Sequence, residues 1–509
     1  MQPAEELKEK IELFLLEHSR PLLTEPGHDV VDLSGSSYSL STQYDKLVWH
    51  IWNENTNLVR QITAIQRARP GRMELRYQKF GKGPAGAMVL ADSRAMPEHL
   101  ERRTLRTQYV KALRRWLLQL FPLWKVQELT TEPDLARSFS RRFARGWITR
   151  GKQAWAAIGS GQLEDGLPPD DILAYGLLWL DWLRLQNSSH VLEGLKLFLP
   201  RGTAEITLNR LAWLNPAAGK WELYETGFGN GDEVRQRDPA DFGNLKTSLA
   251  PFNRPTARQA VKDWGPEIGS AGPEVEARAG PDGSWSWSVR GLVFARETSK
   301  GIVFGLGRSE TALEPGTVGR LRELVSRLDR VRRPDSAEAA HPLYRIQPER
   351  WMECIVSRHM DRIESSLAGG IVYEQVPSVS GTSRGLLDLL TVNASGRLAV
   401  VELKASEDLQ LPLQALDYWM RVHWHHQRGA LERQGYFDGR ALSPEPPLLL
   451  LVTPALQFHS ACETILRYIS PAIEIVRVGV NEDWRRELNV VFREGRPPLR
   501  ATSRHTQRR

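Results

Sequence analysis

The chain has 509 residues, of which 41% are hydrophobic and 25% are charged, and it carries a formal net charge of +7. These fractions are typical of a soluble globular protein of about three domains, and no apolar run approaches the roughly 18 residues that a membrane-spanning helix requires. Two cysteines, Cys354 and Cys462, support neither a disulfide framework nor a zinc site. We therefore expect a cytoplasmic protein with no membrane partner, and the modest positive charge is compatible with a polyanionic partner.

Residues 1–157 are expected to be a mostly helical, basic region. Glu5 to His18 reads as a charged amphipathic helix. In residues 45–66, apolar side chains recur near helical spacing, which predicts a second helix.

Basic residues concentrate between Glu101 and Trp155, where thirteen Lys or Arg stand against four acids. We assign them to two helices, around 102–115 and 137–152, with aromatic residues interleaved. Two interpretations stay open: a surface that follows a phosphate backbone with aromatics available for stacking, or ordinary helices whose aromatics fill the core.

Residues 158–255 are expected to form an α+β module to which the sequence assigns no role. A strongly apolar helix runs from Ile172 to Leu185, and its apolar side chains fit a buried core. Strand-like segments follow at 195–199, 203–214 and 221–226.

Residues 256–342 are interpreted as a linker, a hairpin and a charged helix. Glycine, proline and acids dominate 265–283, which favours an exposed linker. The hairpin covers 284–307 and the helix covers 318–333.

Residues 343–492 alternate between helical and strand patterns. Helices are expected at 348–367, 412–427 and 457–469, and strands at 371–376, 385–392, 398–405, 448–453 and 473–480. Leu448 to Val452 is uniformly apolar, as is typical of a strand covered on both faces. Residues 493–509 contain six arginines against one acid and are expected to be a disordered basic tail.

Three charged residues interrupt two of these apolar strands. Asp388 lies inside the first strand, and Glu402 and Lys404 lie in the next one, on one face because side chains alternate along a strand. A carboxylate in an apolar strand is costly unless it is compensated, and a cation between Asp388 and Glu402 would compensate both. Oxygen ligands of this kind suit Mg²⁺ or Mn²⁺, so the pattern predicts a metal site with a lysine beside it.

In these residues the chain resembles the PD-(D/E)xK nuclease superfamily, whose pattern is an acid on one strand followed by Glu-x-Lys on the next. Here the acid is Asp388 and the second element is Glu402-Leu403-Lys404, although Leu387 replaces the proline of the name. Gln414 and Tyr418 match the Q-x-x-x-Y helix of the RecB-like and Mrr-like branches.

The resemblance, which covers about 343–492, implies a fold class and a set of roles. It implies a multidomain protein whose C-terminal α/β restriction-endonuclease-like domain, a mixed central sheet flanked by helices, follows mostly helical and α+β N-terminal regions. Asp388 and Glu402 would bind the metal, and Lys404 would act in catalysis. Glu353 would assist from the first helix, with Glu349 as a weaker alternative, while Gln414 and Tyr418 would bind substrate.

The function expected from this resemblance is Mg²⁺- or Mn²⁺-dependent hydrolysis of DNA, in repair, restriction or defence. An inactive nucleic-acid-binding or assembly protein is the alternative. Strand preference, endo- or exonuclease action and a homodimer stay open. Histidines His423, His425 and His426, which follow Tyr418 on its helix, are expected to face solvent because their spacing does not suit a metal.

Overall fold

The structure is a computed structural model that describes most of the chain. The described residues are 3–18, 21–25, 31–43, 46–53, 56–79, 85–92, 98–134, 137–161, 169–227, 233–240, 245, 247–252, 258–280, 283–307, 309–380 and 383–496. They divide into two compact units, the first made mainly of residues up to Thr131 and the second mainly of those from Arg145 onward. None of the helices in these ranges is long and apolar enough to cross a membrane.

The first unit is built on an antiparallel sheet with the strand order β2-β1-β7-β6-β5-β4-β3. Its elements are α1 (Ala4–Glu17), β1 (Pro21–Thr24), β2 (Val31–Asp32), β3 (Ser37–Gln43), β4 (Lys46–Asn53), β5 (Thr56–Arg69), β6 (Arg72–Lys79), β7 (Ala85–Asp92), α2 (Glu98–Leu120) and β8 (Lys125–Thr130). Helix α1 buries Leu7, Ile11 and Phe14 in the same core as Trp49 of β4, because side chains three or four apart share a helix face.

The helix expected over residues 45–66 is wrong, since β4 and β5 form a hairpin there. Leu47 pairs with Ile62 and Ile51 pairs with Leu58. A spacing of four residues fits a strand as well as a helix, because four is a multiple of the strand period of two. Trp49, buried between Leu47 and Ile51, shows that the strand period applies.

The second unit begins with strands in the order β13-β12-β11-β10-β9, of which β10, β11 and β12 are parallel. Its elements are β9 (Ala144–Arg150), β10 (Gln153–Gly159), α3 (Ile172–Gln186), β11 (Val191–Pro200), α4 (Glu205–Leu211), β12 (Lys220–Thr226) and β13 (Val234–Arg237). The helix expected around 137–152 is therefore wrong, because β9 turns into β10 at Gly151, whose φ of 58° favours glycine. The strand expected at 203–214 is also wrong, since α4 lies there, while the apolar helix at 172–185 is confirmed.

A five-stranded antiparallel meander follows, in the order β15-β16-β17-β18-β19. Its elements are α5 (Gln259–Gly269), β15 (Val275–Ala279), β16 (Trp285–Val289), β17 (Leu292–Thr298), β18 (Gly301–Leu306), β19 (Ser309–Ala312) and α6 (Val318–Val331). The charged helix is found, but the hairpin expected over 284–307 is wrong in its pairing, because β17 lies between the two expected strands, β16 and β18. The linker expected over 265–283 is wrong where the structure describes it, because α5 and β15 occupy most of it.

The C-terminal sheet has seven strands in the order β14-β20-β21-β22-β23-β24-β25, and its three central neighbours β22, β23 and β24 are parallel. Its elements are β14 (Thr247–Leu249), α7 (Pro342–Arg345), α8 (Pro348–Arg358), α9 (Met360–Ile363), β20 (Val372–Ser380), β21 (Ser383–Val392), β22 (Leu398–Leu403), α10 (Leu411–Gln427), α11 (Ala430–Arg433), β23 (Leu448–Pro454), α12 (Cys462–Tyr468), β24 (Ile475–Val480) and β25 (Val490–Gly495). Every residue of β22 and β23 is buried, as expected for strands covered on both faces.

Two features join this sheet to earlier parts of the second unit. Strand β14 pairs antiparallel with β20 and so forms the edge of the C-terminal sheet. Arg210 of α4 donates from Nε and Nη2 to the two carboxylate oxygens of Asp417 in α10, at 2.9 and 2.7 Å. Both side chains are largely buried, so this bidentate pair fixes α4 against α10.

The fold class expected from the sequence is wrong as a whole. The described chain is multidomain but mostly β, with four sheets, and its N-terminal part is an antiparallel sheet instead of a helical region. The expected order of elements from 348 to 480 is nevertheless found in the C-terminal sheet. Of the expected basic tail, Arg493 lies in β25, and residues 497–509 lie outside the described part of the chain.

Arg332, at the end of α6, is expected to be a main support of the second unit. Its side chain is fully buried and donates to the backbone carbonyls of Leu343, Ile346 and Arg290. Replacing it with Ala leaves these acceptors without a donor, so Arg332→Ala should lower the free energy of unfolding by roughly 2–4 kcal/mol. Urea unfolding followed by tryptophan fluorescence measures the change.

The matched control is Arg330→Ala, since the side chain of Arg330 is 69% exposed and pairs with Glu338 across a surface contact of 3.4 Å. It should change the free energy of unfolding by no more than about 0.5 kcal/mol. Equal effects of the two substitutions would contradict the structural role of Arg332.

Candidate active site

Antiparallel pairing of β21 and β22 brings Asp388 and Glu402 together. The register pairs Leu389 with Val401, so the next residues along the two strands are Asp388 and Glu402. Each of the two carboxyls acts on the pKa of the other, which places their side chains close together. Asp388 Oδ2 also accepts from the backbone N–H of Leu403 at 2.9 Å, which orients the carboxylate toward β22.

Burial controls the electrostatics of this pair. Glu402 is 1% exposed. Burial, and next the neighbouring Asp388, raise the pKa of Glu402 well above its usual value. Burial also raises the pKa of Asp388, against the opposing effects of the Leu403 amide and of Lys404. The two carboxyls therefore titrate as a coupled pair.

Lys404 is the cation that lies beside the pair. Its Nζ is 3.8 Å from Glu402 Oε1, 3.8 Å from Glu349 Oε1 and 3.9 Å from Asp408 Oδ2. The Lys404 side chain is only 13% exposed, whereas that of Glu349 is 46% exposed. The amine is thus held at the rim of the site by three carboxylates.

Helix α8 contributes both acids that the sequence pointed to. Glu353 is buried, and its carboxylate accepts from Arg350 Nη1 at 3.0 Å and from Gln375 Nε2 at 2.9 Å. Burial is the main cause that raises the pKa of Glu353, and Asp388 contributes to the rise. Glu349, the weaker candidate in the sequence, is the acid of α8 that contacts Lys404, whereas Glu353 contacts Arg350 and Gln375.

Gln375 is a site residue that the sequence did not reveal. It stands in β20 at the register position opposite Asp388, between the pairs Glu374–Leu389 and Val376–Leu387. Its φ of 51° lies in the left-handed region, which is unfavourable for a residue with a side chain. No local sequence signal marks such a conformation, because it depends on the contact with Glu353. Arg350 could have been found as the i−3 neighbour of Glu353 on a helix.

Helix α10 carries Gln414 and Tyr418, the two residues of the Q-x-x-x-Y pattern. Tyr418 is 8% exposed, and Gln414 lies close enough to oppose the rise in the pKa of its hydroxyl. Burial, with Glu402 as the next cause, raises the pKa of the Tyr418 hydroxyl. Tyr418 therefore lies within electrostatic range of the carboxylate pair.

Other residues that the sequence singled out behave differently. His423 and His425 are buried, His423 is stacked on Trp419 at a ring distance of 4.6 Å, and the expectation that they face solvent is wrong. Most aromatics of the basic segment, including Tyr109, Trp116 and Phe143, are buried. These buried rings are not available for stacking on bases.

The residues present fit a divalent cation. Glu402 Oε2 is buried and has no hydrogen-bond partner among the described residues, so it is an oxygen with an unused acceptor position. Asp388 adds a second carboxylate, and hard oxygen donors suit Mg²⁺ or Mn²⁺. Within the described ranges, no set of three or more His, Cys, Asp or Glu side chains is arranged to hold a metal, so the fit rests on two carboxylates.

The comparisons with protein-family models and with curated proteins give no match.

Metal binding should raise the free energy of unfolding of the protein. Mg²⁺ or Mn²⁺ at about 100 times its Kd should raise the free energy of unfolding by about 2.7 kcal/mol. Asp388→Asn and Glu402→Gln should abolish this gain, because each removes a charged oxygen donor. Thermal unfolding with and without the metal measures the effect.

The control is Glu407→Gln, whose side chain is 56% exposed and faces His459. This variant should retain the metal-dependent gain in full. A Glu402→Gln protein with an undiminished gain would place the cation elsewhere.

Gln375 should separate backbone strain from side-chain function. Gln375→Gly and Gln375→Ala both remove the bonds to Glu353, but only glycine adopts a φ of 51° without strain. We expect Gln375→Gly to be more stable than Gln375→Ala by roughly 1 kcal/mol. Urea unfolding of the two variants tests this, and equal stability would mean that the backbone there is not strained.

Proposed function

We propose that the protein is a metal-dependent nuclease that hydrolyses DNA phosphodiester bonds at the site formed by Asp388, Glu402 and Lys404. The single observation that carries the proposal is the contact of two buried carboxylates on adjacent strands with an amine 3.8 Å from one of them. A structural role alone does not account for an acid as buried as Glu402, one of whose oxygens has no hydrogen-bond partner within the described part of the chain. By analogy with the family that the sequence resembles, repair, restriction and defence are the processes to test.

The chain's own residues would divide the work. Lys404 carries a positive charge at the edge of the pair, where it would orient the attacking water and stabilise negative charge on the phosphate as the bond breaks. Glu353, held by Arg350 and Gln375, would accept a hydrogen bond from a water on the other side. Tyr418 and Gln414 would position the sugar-phosphate backbone.

Mg²⁺ or Mn²⁺ held by Asp388 and Glu402 would polarise the phosphodiester and lower the pKa of a bound water. Two acids close together on a dry sheet surface provide the negative charge that attracts this ion. Their raised pKa values have the same origin, since both express the cost of placing negative charge there.

Cleavage assays with variants test the proposal. With plasmid and single-stranded DNA in Mg²⁺ or Mn²⁺, Lys404→Ala and Asp388→Ala should each reduce the cleavage rate by about 100-fold or more, because each removes a group that acts on the developing charge. Lys220→Ala is the control, since Lys220 is 70% exposed and pairs with Glu193 on another sheet. It should cut at the wild-type rate.

Undiminished cutting by Lys404→Ala or Asp388→Ala would refute this site. Salt-dependent DNA binding without cutting in either metal would instead favour the alternative function, an inactive binding or assembly protein. Circular dichroism spectra of all variants are the check that each variant folds.

A further inference from the structure

A cleft of about 740 Å³ lies beside the candidate active site, within the second unit. One wall is the five-stranded meander, which contributes Arg278, Ser286 and Val293. The other wall is formed by α8 and β20. A volume in the range of 300–1,000 Å³ is typical of a site that holds one ligand group, not a surface that supports a double helix.

The cleft is continuous with the carboxylate pair through residues that belong to both. Arg350, Glu353 and Gln375 line the cleft, and the same three side chains form the hydrogen-bonded group next to Asp388. The charge of Arg350 also acts on the pKa of Asp388. A ligand in the cleft would therefore lie directly beside the proposed bond-breaking groups.

Arginines on both walls provide anion-binding groups. Arg278 in β15 and Arg358 in α8 line the cleft, and their side chains are 29% and 47% exposed. Both are paired with acids, Arg278 with Glu276 and Glu374 and Arg358 with Glu276. A guanidinium has five N–H donors, so a pair with a carboxylate fixes its position and leaves donors for a phosphate.

An aromatic side chain completes the cleft. Phe252 is partly exposed and packs on Tyr373 and Tyr436 at ring distances of 4.9 and 5.5 Å. Such a supported ring offers a face on which a base can stack, and stacking of this kind is independent of sequence.

The meander wall is held firmly against α8. Arg290 and Gly291 form the turn between β16 and β17, both with positive φ. A Cβ at Gly291 would lie 2.2 Å from the Arg350 carbonyl oxygen, so the turn packs against α8 too closely for any side chain at this position. The cleft is thus a preformed feature, which lowers the entropy cost of binding.

We infer that this cleft binds an unpaired segment of DNA next to the bond that is cut, so that single-stranded DNA, or the unpaired part of a forked molecule, is the preferred substrate. The inference rests on the proposed nuclease function. In a duplex the bases are paired and stacked, and bringing one into the cleft requires this pairing and stacking to be broken, whereas an unpaired strand does not incur this cost. The cleft would recognise the strand through stacking of a base on Phe252 and through phosphate contacts from Arg278, Arg350 and Arg358.

Binding is measured without metal, in EDTA, by fluorescence anisotropy of a labelled single-stranded oligonucleotide and of the corresponding blunt duplex at one salt concentration. Val293 is 40% exposed and lines the cleft, so Val293→Glu adds a negative charge there with little effect on folding. Its affinity for the single strand should fall by about tenfold. Phe252→Leu should lower it by about fivefold, because stacking is lost.

The matched control is Val191→Glu, since Val191 is a strand valine that is 64% exposed and does not line the cleft. It should bind as the wild type does. Wild-type protein that binds the blunt duplex as tightly as the single strand, or Val293→Glu protein that binds the single strand normally, would overturn the inference, and so would the absence of any DNA binding.

The cleavage assay separates this inference from the proposed function. If the wild type cuts and Lys404→Ala does not, while Val293→Glu binds and cuts normally, the cleft assignment fails alone. If the wild type binds single strands through the cleft but never cuts, the nuclease proposal fails, and the binding result identifies a single-strand-binding site.

Discussion

The second unit depends on one electrostatic constraint: two carboxylates, Asp388 and Glu402, lie in contact on adjacent strands where water is excluded. Placing negative charge in such surroundings is unfavourable, and one lysine at 3.8 Å offsets only part of the cost. The groups around the pair offset part of this charge. Lys404 lies at the rim, the Leu403 amide donates to Asp388, and Glu402 keeps one oxygen without a hydrogen-bond partner among the described residues. Two buried acids side by side cost stability, and this cost is what the proposed cation would offset.

A second group of side chains links this charge to the cleft. Glu353 is held by Arg350 and Gln375, and all three line the cleft that the meander closes. The left-handed backbone at Gln375 costs stability, and it turns the amide toward Glu353. The unfavourable backbone conformation at Gln375 is therefore retained where its side chain holds Glu353. The opposite wall of the cleft is the five-stranded meander, which lies outside the 343–492 segment that resembles the nuclease superfamily.

The sequence predicted the carboxylate pair because its signal is local. Asp388 and Glu402 interrupt short apolar strands joined by a tight turn, and strand alternation alone puts Glu402 and Lys404 on one face. The N-terminal sheet was missed because Leu47 and Ile51 are four residues apart, a spacing that a helix and a strand both satisfy. Gln375 and the cleft were missed for another reason: they arise from contacts between segments distant in the chain, such as Gly291 against Arg350. The buried histidines of α10 show the same limit, since their burial depends on partners such as Trp419.

The ion pair between Arg210 and Asp417 has a consequence for how this chain can be divided. A fragment beginning near residue 343 would contain Asp417 without Arg210, and so would lose the bidentate pair that fixes α10 to α4. The same truncation would remove β14 and leave the backbone groups of β20 unpaired along one side, which invites aggregation. The C-terminal sheet is thus completed by earlier parts of the chain, and a fragment that contains it should include the residues that carry α4 and β14.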